Sequence, residues 1–314
     1  MPERVLELVG KAAPYLARNG STSPRLDAEL LLAEALGCKR MDLYLQFERP
    51  LIDAELTRFR ELCRRRAGGE PIAYIRGRKE FFSIELEVSP DVLVPRPETE
   101  ILVEEALRLL RARAEAEGRA GDAAEDREAP AEPAAGEAGS HPDARREPPW
   151  RLLDIGTGSG AIALALLHEL PAATVVATDV SAAALAVARR NAGRLGLSGR
   201  VELREGDLDA GAAGPFDLVA ANLPYIDPGW ADAVTPEVAA TEPGLALFAG
   251  RDGMDEIGRL LPRLPGLLAP GGAALLEFDP RMLAPLLAAA AEAAPRARVI
   301  KDLAGLDRVL VLET

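Results

Sequence analysis

After Trp150 the chain alternates seven short apolar runs with amphipathic segments, and this alternation limits the fold more than any other feature. The runs are RLLDIG (151–156), TVVATD (174–179), VELREG (201–206), FDLVAAN (216–222), GAALLEF (272–278), ARVIKD (297–302) and RVLVLE (308–313). Helix-patterned segments fall at 160–170, 181–195, 252–268 and 282–293. Such alternation predicts an α/β architecture with a mostly parallel sheet, whose ligands sit beyond the carboxyl ends of the strands. Only LAGLD separates the last two runs, too little chain for a parallel crossover, so the final strand is expected to run antiparallel.

Upstream, residues 3 to about 67 read as helices. Ser23 and Pro24 supply an N-cap and an N1 proline, and Gly37 ends the same segment. A second helix pattern stops at Gly68-Gly69. The stretch EFFSIELEVSPDVLVP (80–95) predicts a strand pair turning at Ser89-Pro90-Asp91. Pro95, Pro97, Glu98 and Glu100 then lead into an amphipathic helix. From 113 to 149 the chain is Ala, Glu, Gly, Pro and Arg with almost no branched apolar residues, and a disordered or loosely helical insertion is expected. The expected organisation is a small helical domain over 1–79, a strand pair with its connecting helix over 80–112, the insertion over 113–149, and the sheet domain over 150–314.

Apolar residues make up 48% of the chain, enough for real cores. The formal net charge of −13 is spread along the sequence, the reverse of what binding to a nucleic-acid backbone favours. Charges interrupt every hydrophobic stretch before it could span a bilayer, and the N-terminus lacks the pattern of a secretory signal. Cys38 and Cys63 stand alone, so neither a metal site nor a disulfide framework is expected. A monomer in a reducing cytoplasm fits these features.

Gly156, Thr157, Gly158, Ser159 and Gly160 form the turn between the first apolar run and its helix. Glycines there allow positive φ and close approach of a ligand to the backbone. The spacing alone also suits a nicotinamide dinucleotide fold or a plain turn. Asp179 ends the second run, where a carboxylate can accept both hydroxyls of a ribose. Asp207 and Leu208 end the third, where an adenine edge and face could rest. Three such features suit a nucleoside. The antiparallel last strand, and the lack of a hydride-transfer partner, favour S-adenosylmethionine: His141 lies in the insertion and His168 on the first helix of the sheet domain.

The fourth run ends in Asn222-Leu223-Pro224-Tyr225. Asn222 can accept one N–H of a planar amino group through its side-chain oxygen, and the Leu223 carbonyl can accept the other. Pro224 stiffens the turn, and Tyr225 offers a ring to the flat group. Asn222 and Tyr225 are therefore the candidate catalytic residues.

NLPYI resembles the Asn-Pro-Pro-Tyr signature of amino-group methyltransferases. The segments GEPIAYIRGRKEFFSIELEVSPDVLVPRPETEILVEEAL, LLDIGTGSGAIALALL, TEPGLALFAGRDGMDEI and KDLAGLDRVLVL further resemble the HemK-type protein-(glutamine-N5) methyltransferases of peptide-chain release factors. With the helical N-terminus they cover the chain outside 113–149. The resemblance implies that the acceptor is the glutamine of a Gly-Gly-Gln loop in a release factor. It implies that Gly156 to Gly160, Asp179, Leu208 and Asn222 hold S-adenosylmethionine and that Asn222 to Tyr225 hold the glutamine. A catalytic domain that grips one side chain still has to locate a whole release factor, so the helical domain over 1–79 is expected to recognise the substrate. Position 223 is Leu where the family usually has Pro, and LEFDPRM lacks the Gly and Gln that usually follow the Glu. An adenine-N6 methyltransferase acting on rRNA or DNA, for which the same clamp would serve, and a non-catalytic S-adenosylmethionine-binding protein are the alternatives at this point.

Because 113–149 has no core-forming pattern, excising about 121–146 and leaving a short linker is expected to leave folding and turnover nearly intact. Thermal melts and methyl-transfer rates check this, and a tenfold loss of rate, about 1.4 kcal/mol, would contradict it.

Overall fold

The computed structural model describes residues 4–125, 150–230 and 234–314, with 119–125 and Pro236 described by their backbone alone. The chain forms two compact units.

The helical unit contains Met1–Glu80, Glu85–Val94 and Trp230–Leu247. Its helices Val5–Arg18, Pro24–Leu36 and Asp53–Ala67 share a core that includes Val5, Leu16, Leu31, Leu32 and Phe59. Each of these buried side chains contributes roughly 1.5–3 kcal/mol of transfer free energy. Pro24 occupies the first turn of its helix, and Gly37 closes it in the left-handed conformation at φ 65°. Trp230–Leu247 lies within the stretch expected as the sheet domain, yet its Glu237 and Glu242 are tied into the helical unit. The Arg66 guanidinium, itself buried, donates from Nε to Asp27 Oδ2 at 2.8 Å and from Nη1 to Glu237 Oε1 at 2.5 Å. The buried Glu242 accepts the Val94 N–H at 3.2 Å.

Strands β1 (Arg78–Phe81) and β2 (Ile84–Glu87) form the expected pair, but the turn is Phe82-Ser83 and not Ser89-Pro90-Asp91. Phe82 and Ser83 have φ of 46° and 64°, as a two-residue hairpin loop demands at both central positions. Asn or Gly usually fills such a loop, so Phe-Ser carries no turn signal. Ser89 instead starts a bend after the hairpin, where its carbonyl accepts the Val92 N–H at 3.1 Å.

The sheet unit contains Phe81–Ile84, Pro95–Gly229 and Phe248–Thr314. Its strands are β3 (Arg151–Ile155), β4 (Thr174–Asp179), β5 (Val201–Glu205), β6 (Phe216–Ala221), β7 (Leu268–Glu277), β8 (Arg296–Lys301) and β9 (Asp307–Glu313). Their order is β5-β4-β3-β6-β7-β9-β8, with β9 antiparallel to both its neighbours and the pairs from β5 to β7 parallel. From β3 the chain proceeds outward through β4 and β5, then returns to place β6 on the other side. That reversal opens a crevice at the carboxyl ends of β3 and β6.

Helices Ala161–Glu169, Ala182–Arg194 and Leu283–Ala290 match the expected positions to within a few residues. The segment expected as one helix over 252–268 is broken. It forms Asp255–Leu260, a 3-10 turn at Leu261–Arg263, and Leu264–Leu267, because Pro262 and Pro265 lack the N–H that a continuous helix needs. The helix that begins at Pro97 runs to Glu125 through residues expected as insertion, where Ala, Glu and Arg are strong helix formers. Positions 126–149 of that expected insertion lie outside the described residues.

Arg66→Ala leaves Asp27 and Glu237 without their shared cation. A loss of about 3–5 kcal/mol of stability is expected, measured as a lower urea midpoint of the full chain.

Candidate active site

The turn after β3 is built on left-handed backbone. Gly156, Gly158 and Gly160 have φ of 72°, 56° and 84°. The Thr178 carbonyl at the end of β4 accepts the N–H groups of both Gly156 and Thr157, each at 2.9 Å. The three glycines differ in what a side chain would meet. A Cβ on Gly160 would lie 2.9 Å from Leu164 Cδ1, and one on Gly156 would lie 3.0 Å from Leu223 Cδ2. A Cβ on Gly158 would meet open space.

Asp179 is placed at the end of β4 with one carboxylate oxygen on the Gly158 N–H and the other on the Ser181 N–H, both at 2.9 Å. Burial raises its pKa, and those backbone donors oppose the rise. Thr157 and Ser159 turn inward. The Thr157 hydroxyl donates to Asp154 Oδ2 at 2.6 Å, and the Ser159 carbonyl accepts from Asn191 Nδ2 at 2.9 Å. At the end of β5, Leu208 is buried with φ 48°, and its carbonyl accepts the Thr178 hydroxyl at 2.6 Å. The half-exposed Asp207 carboxylate is paired with Arg259.

The end of β6 carries the Asn-Leu-Pro-Tyr turn. Asn222 Nδ2 donates to the buried Thr99 Oγ1 at 3.1 Å. Leu223 is buried with its side chain against Gly156, so the glycine turn and the Asn222–Tyr225 turn are in contact. The Tyr225 hydroxyl donates to Glu277 Oε1, at 3.4 Å a long bond, and burial holds the phenol well above its ordinary pKa. Gly156, Gly158, Asp179, Leu208 and Asn222 thus gather at the carboxyl ends of four adjacent strands.

Four residues of this neighbourhood are not among the candidates read from sequence: Asp154, Thr178, Thr99 and Glu277. Asp154 and Glu277 are each 1% exposed, and each leaves one carboxylate oxygen without a hydrogen-bond partner among the described residues. Burial pushes the Asp154 carboxyl up to about 6 and that of Glu277 up to about 7. The signal was an acidic residue inside an apolar run, LLDIG for one and LLEF for the other. Among the described residues, no group of three or more His, Cys, Asp or Glu could hold a metal ion, and no helix is long and apolar enough to cross a membrane.

Comparison with known proteins adds to this geometry. The family described as PrmC N-terminal domain matches residues 7–77, and that described as Methyltransferase domain matches 152–243. A release factor glutamine methyltransferase of Rhodopirellula baltica is 38% identical, over 99% of this chain and 97% of its own length. One from Moorella thermoacetica is 40% identical, over 96% and 95%. Among solved structures, the catalytic domain of hMettl16 in complex with MAT2A 3′UTR hairpin 6 is similar with a TM-score of 0.51. It shares 15% identity over 74% of this chain and 76% of its own, which is a likeness of fold.

Asp154 generates a pH dependence of stability. At low pH both folded and unfolded chains hold its proton. As pH rises, the unfolded carboxyl ionises first, so the folded state loses relative stability until Asp154 itself ionises near about 6. Asp154→Asn removes this loss. Urea midpoints from about pH 4 to pH 7 are expected to move in favour of the variant relative to the parent, and a constant difference would contradict the assignment.

Proposed function

The chain belongs to the release factor glutamine methyltransferase family, and we infer that it transfers a methyl group from S-adenosylmethionine to the side-chain amide nitrogen, N5, of a glutamine in a peptide-chain release factor. The observation that carries this reading is identity of 38% and 40% over nearly the full length of relatives of that name, in a chain whose Asn222–Tyr225 turn abuts its glycine turn.

The residues at the crevice fit the cofactor. Gly158 leaves open space above a left-handed backbone, Asp179 places a carboxylate where ribose hydroxyls can donate, and Leu208 gives an apolar wall. Gly156 to Gly160, Asp179, Asp207, Leu208 and Asn222 would hold it, Asp207 sharing its carboxylate with Arg259. Bound S-adenosylmethionine supplies a methyl group on a sulfonium, open to in-line displacement.

The acceptor poses the harder problem, because an amide nitrogen has its lone pair delocalised into the carbonyl. Asn222 Oδ1 accepts one N–H of the glutamine, and the Leu223 carbonyl accepts the other. Together they fix the plane of the amide and aim its nitrogen. As that nitrogen gains positive charge its N–H groups become stronger donors. The same two oxygens therefore stabilise the transition state more than the ground state. Pro224 keeps the turn rigid, and Tyr225 packs against the flat group. Leu223 serves through its carbonyl, while its side chain lies against Gly156.

A release factor is far larger than one side chain, and the helical unit supplies further surface. Met41, Leu45, Phe47 and Ile52 there are exposed apolar side chains suited to a protein partner. The net charge of −13 argues against a nucleic-acid substrate.

The direct test is transfer of labelled methyl groups to a purified release factor, with the Gly-Gly-Gln glutamine replaced by asparagine as control. Label that persists in the control, or that enters RNA instead, would overturn the reading. Asn222→Ala is expected to lower the rate constant by roughly 10²-fold or more. Asp179→Ala is expected to weaken cofactor binding by about 1.5–3 kcal/mol in calorimetry.

A further inference from the structure

Asn222 can serve an amide N–H only if its side-chain oxygen, and not its nitrogen, faces the substrate. Something must hold the carboxamide that way round, because the two faces of an Asn are nearly equal in shape and opposite in hydrogen-bonding sense.

The surroundings of Asn222 supply that hold. Its Nδ2 donates to Thr99 Oγ1 at 3.1 Å, and Thr99 is 4% exposed. A threonine hydroxyl has a single hydrogen. The buried Glu277 carboxyl group lies near enough for the Thr99 hydroxyl to favour its ionised form, and it is the acceptor to which that hydrogen can turn. Only a lone pair of Thr99 is then left for Asn222, so Asn222 must present its NH₂ group to Thr99 and its oxygen to the crevice. The Tyr225 hydroxyl donates to the same carboxyl at 3.4 Å. Both ends of the Asn222–Tyr225 turn are thus referred to one buried acidic group, through Thr99 at one end and directly at the other.

We propose that Thr99 and Glu277 are positioning residues for methyl transfer, an ordered donor chain that fixes which face of the Asn222 carboxamide meets the substrate. The proposal rests on the reading of Asn222 as the amide acceptor. Protonation of Glu277 reverses the chain. The carboxylic O–H then donates to Thr99 Oγ1, the Thr99 hydrogen turns to Asn222 Oδ1, and the carboxamide offers its NH₂ to the substrate's NH₂, donor against donor. The groups facing Glu277 come from each element around it. Arg308 on β9 and the hydroxyls of Thr99 and Tyr225 favour the carboxylate, whereas Glu98 at the start of the Pro97–Glu125 helix opposes it. Arg308 is itself paired with Asp302 at 3.1 Å, and Arg96 and Asp279 act on Tyr225. Burial sets the balance so that the reversal falls near neutral pH.

The test uses the full chain with a release factor as substrate, and compares Thr99→Val, Thr99→Ser and Glu277→Gln with the parent for kcat, KM and cofactor affinity over about pH 6 to 9. Thr99→Val keeps the shape and removes the hydroxyl. It is expected to lower kcat by about 10- to 100-fold while calorimetric affinity for S-adenosylmethionine stays within about twofold. Thr99→Ser restores the hydroxyl and should return kcat to within about threefold of the parent. The parent's kcat should fall as pH drops below about 7, and Glu277→Gln should lose that acidic limb. Thr99→Val with parental kcat, Thr99→Ser as impaired as Thr99→Val, or an acidic limb that survives in Glu277→Gln would each overturn the proposal. If Thr99→Val does not fold, the pH profiles of the parent and Glu277→Gln decide. A parent that methylates no release factor would end the glutamine assignment itself, a result distinct from any change in the ratio of variant to parent.

Discussion

One threonine joins three strand ends. Thr178, fully buried on β4, accepts two N–H groups from the turn after β3 through its carbonyl and donates its hydroxyl to the carbonyl of Leu208 after β5. The next residue continues the tie, since the Asp179 carbonyl accepts the Gly206 N–H at 3.0 Å. Parallel strands leave their terminal backbone groups pointing into the same crevice, and such groups cost free energy if buried without partners. Thr178 and Asp179 satisfy them mutually. The glycine turn, Leu208 and the Asp179 carboxylate are therefore tied to one another.

The crevice is also where the fold accepts unfavourable electrostatics. Asp154 and Glu277 lie at the inner ends of β3 and β7, almost wholly excluded from water, each with an oxygen unmatched among the described residues. Apolar residues of similar volume would cost less at both positions. Asp154 offsets part of that cost by accepting from Thr157 Oγ1 and from the Ala163 N–H at 3.2 Å, which anchors the glycine turn to its helix. Glu277 is matched by Thr99, Tyr225 and Arg308 from three separate elements. Stability is surrendered where geometry is needed.

The strand runs and the glycine turn were legible because their signals are local: apolar runs of strand length, and glycine where the backbone is left-handed. The Asn222–Tyr225 turn was legible because amide, proline and ring fall together at the end of one run. Thr99 and Thr178 carried no such mark. Each is an ordinary threonine until β4, β6 and the Pro97–Glu125 helix converge, and that convergence spans more than a hundred residues for the Asn222–Thr99 bond. Trp230–Leu247 was unreadable as part of the helical unit for the same reason, since Glu237 and Glu242 reveal their role only opposite Arg66 and Val94. Pro262 and Pro265 are a different case, for the break they impose is local and stood in the sequence.

β9 lies between β7 and β8 although it follows both in the chain, and its Val309, Leu310, Val311 and Leu312 are fully buried. During synthesis β8 therefore emerges with no neighbour to pair with, and must wait as an unpaired edge until β9 has left the ribosome behind it. An enzyme inferred to act on the factors that end translation cannot finish its own sheet until translation has passed its last strand.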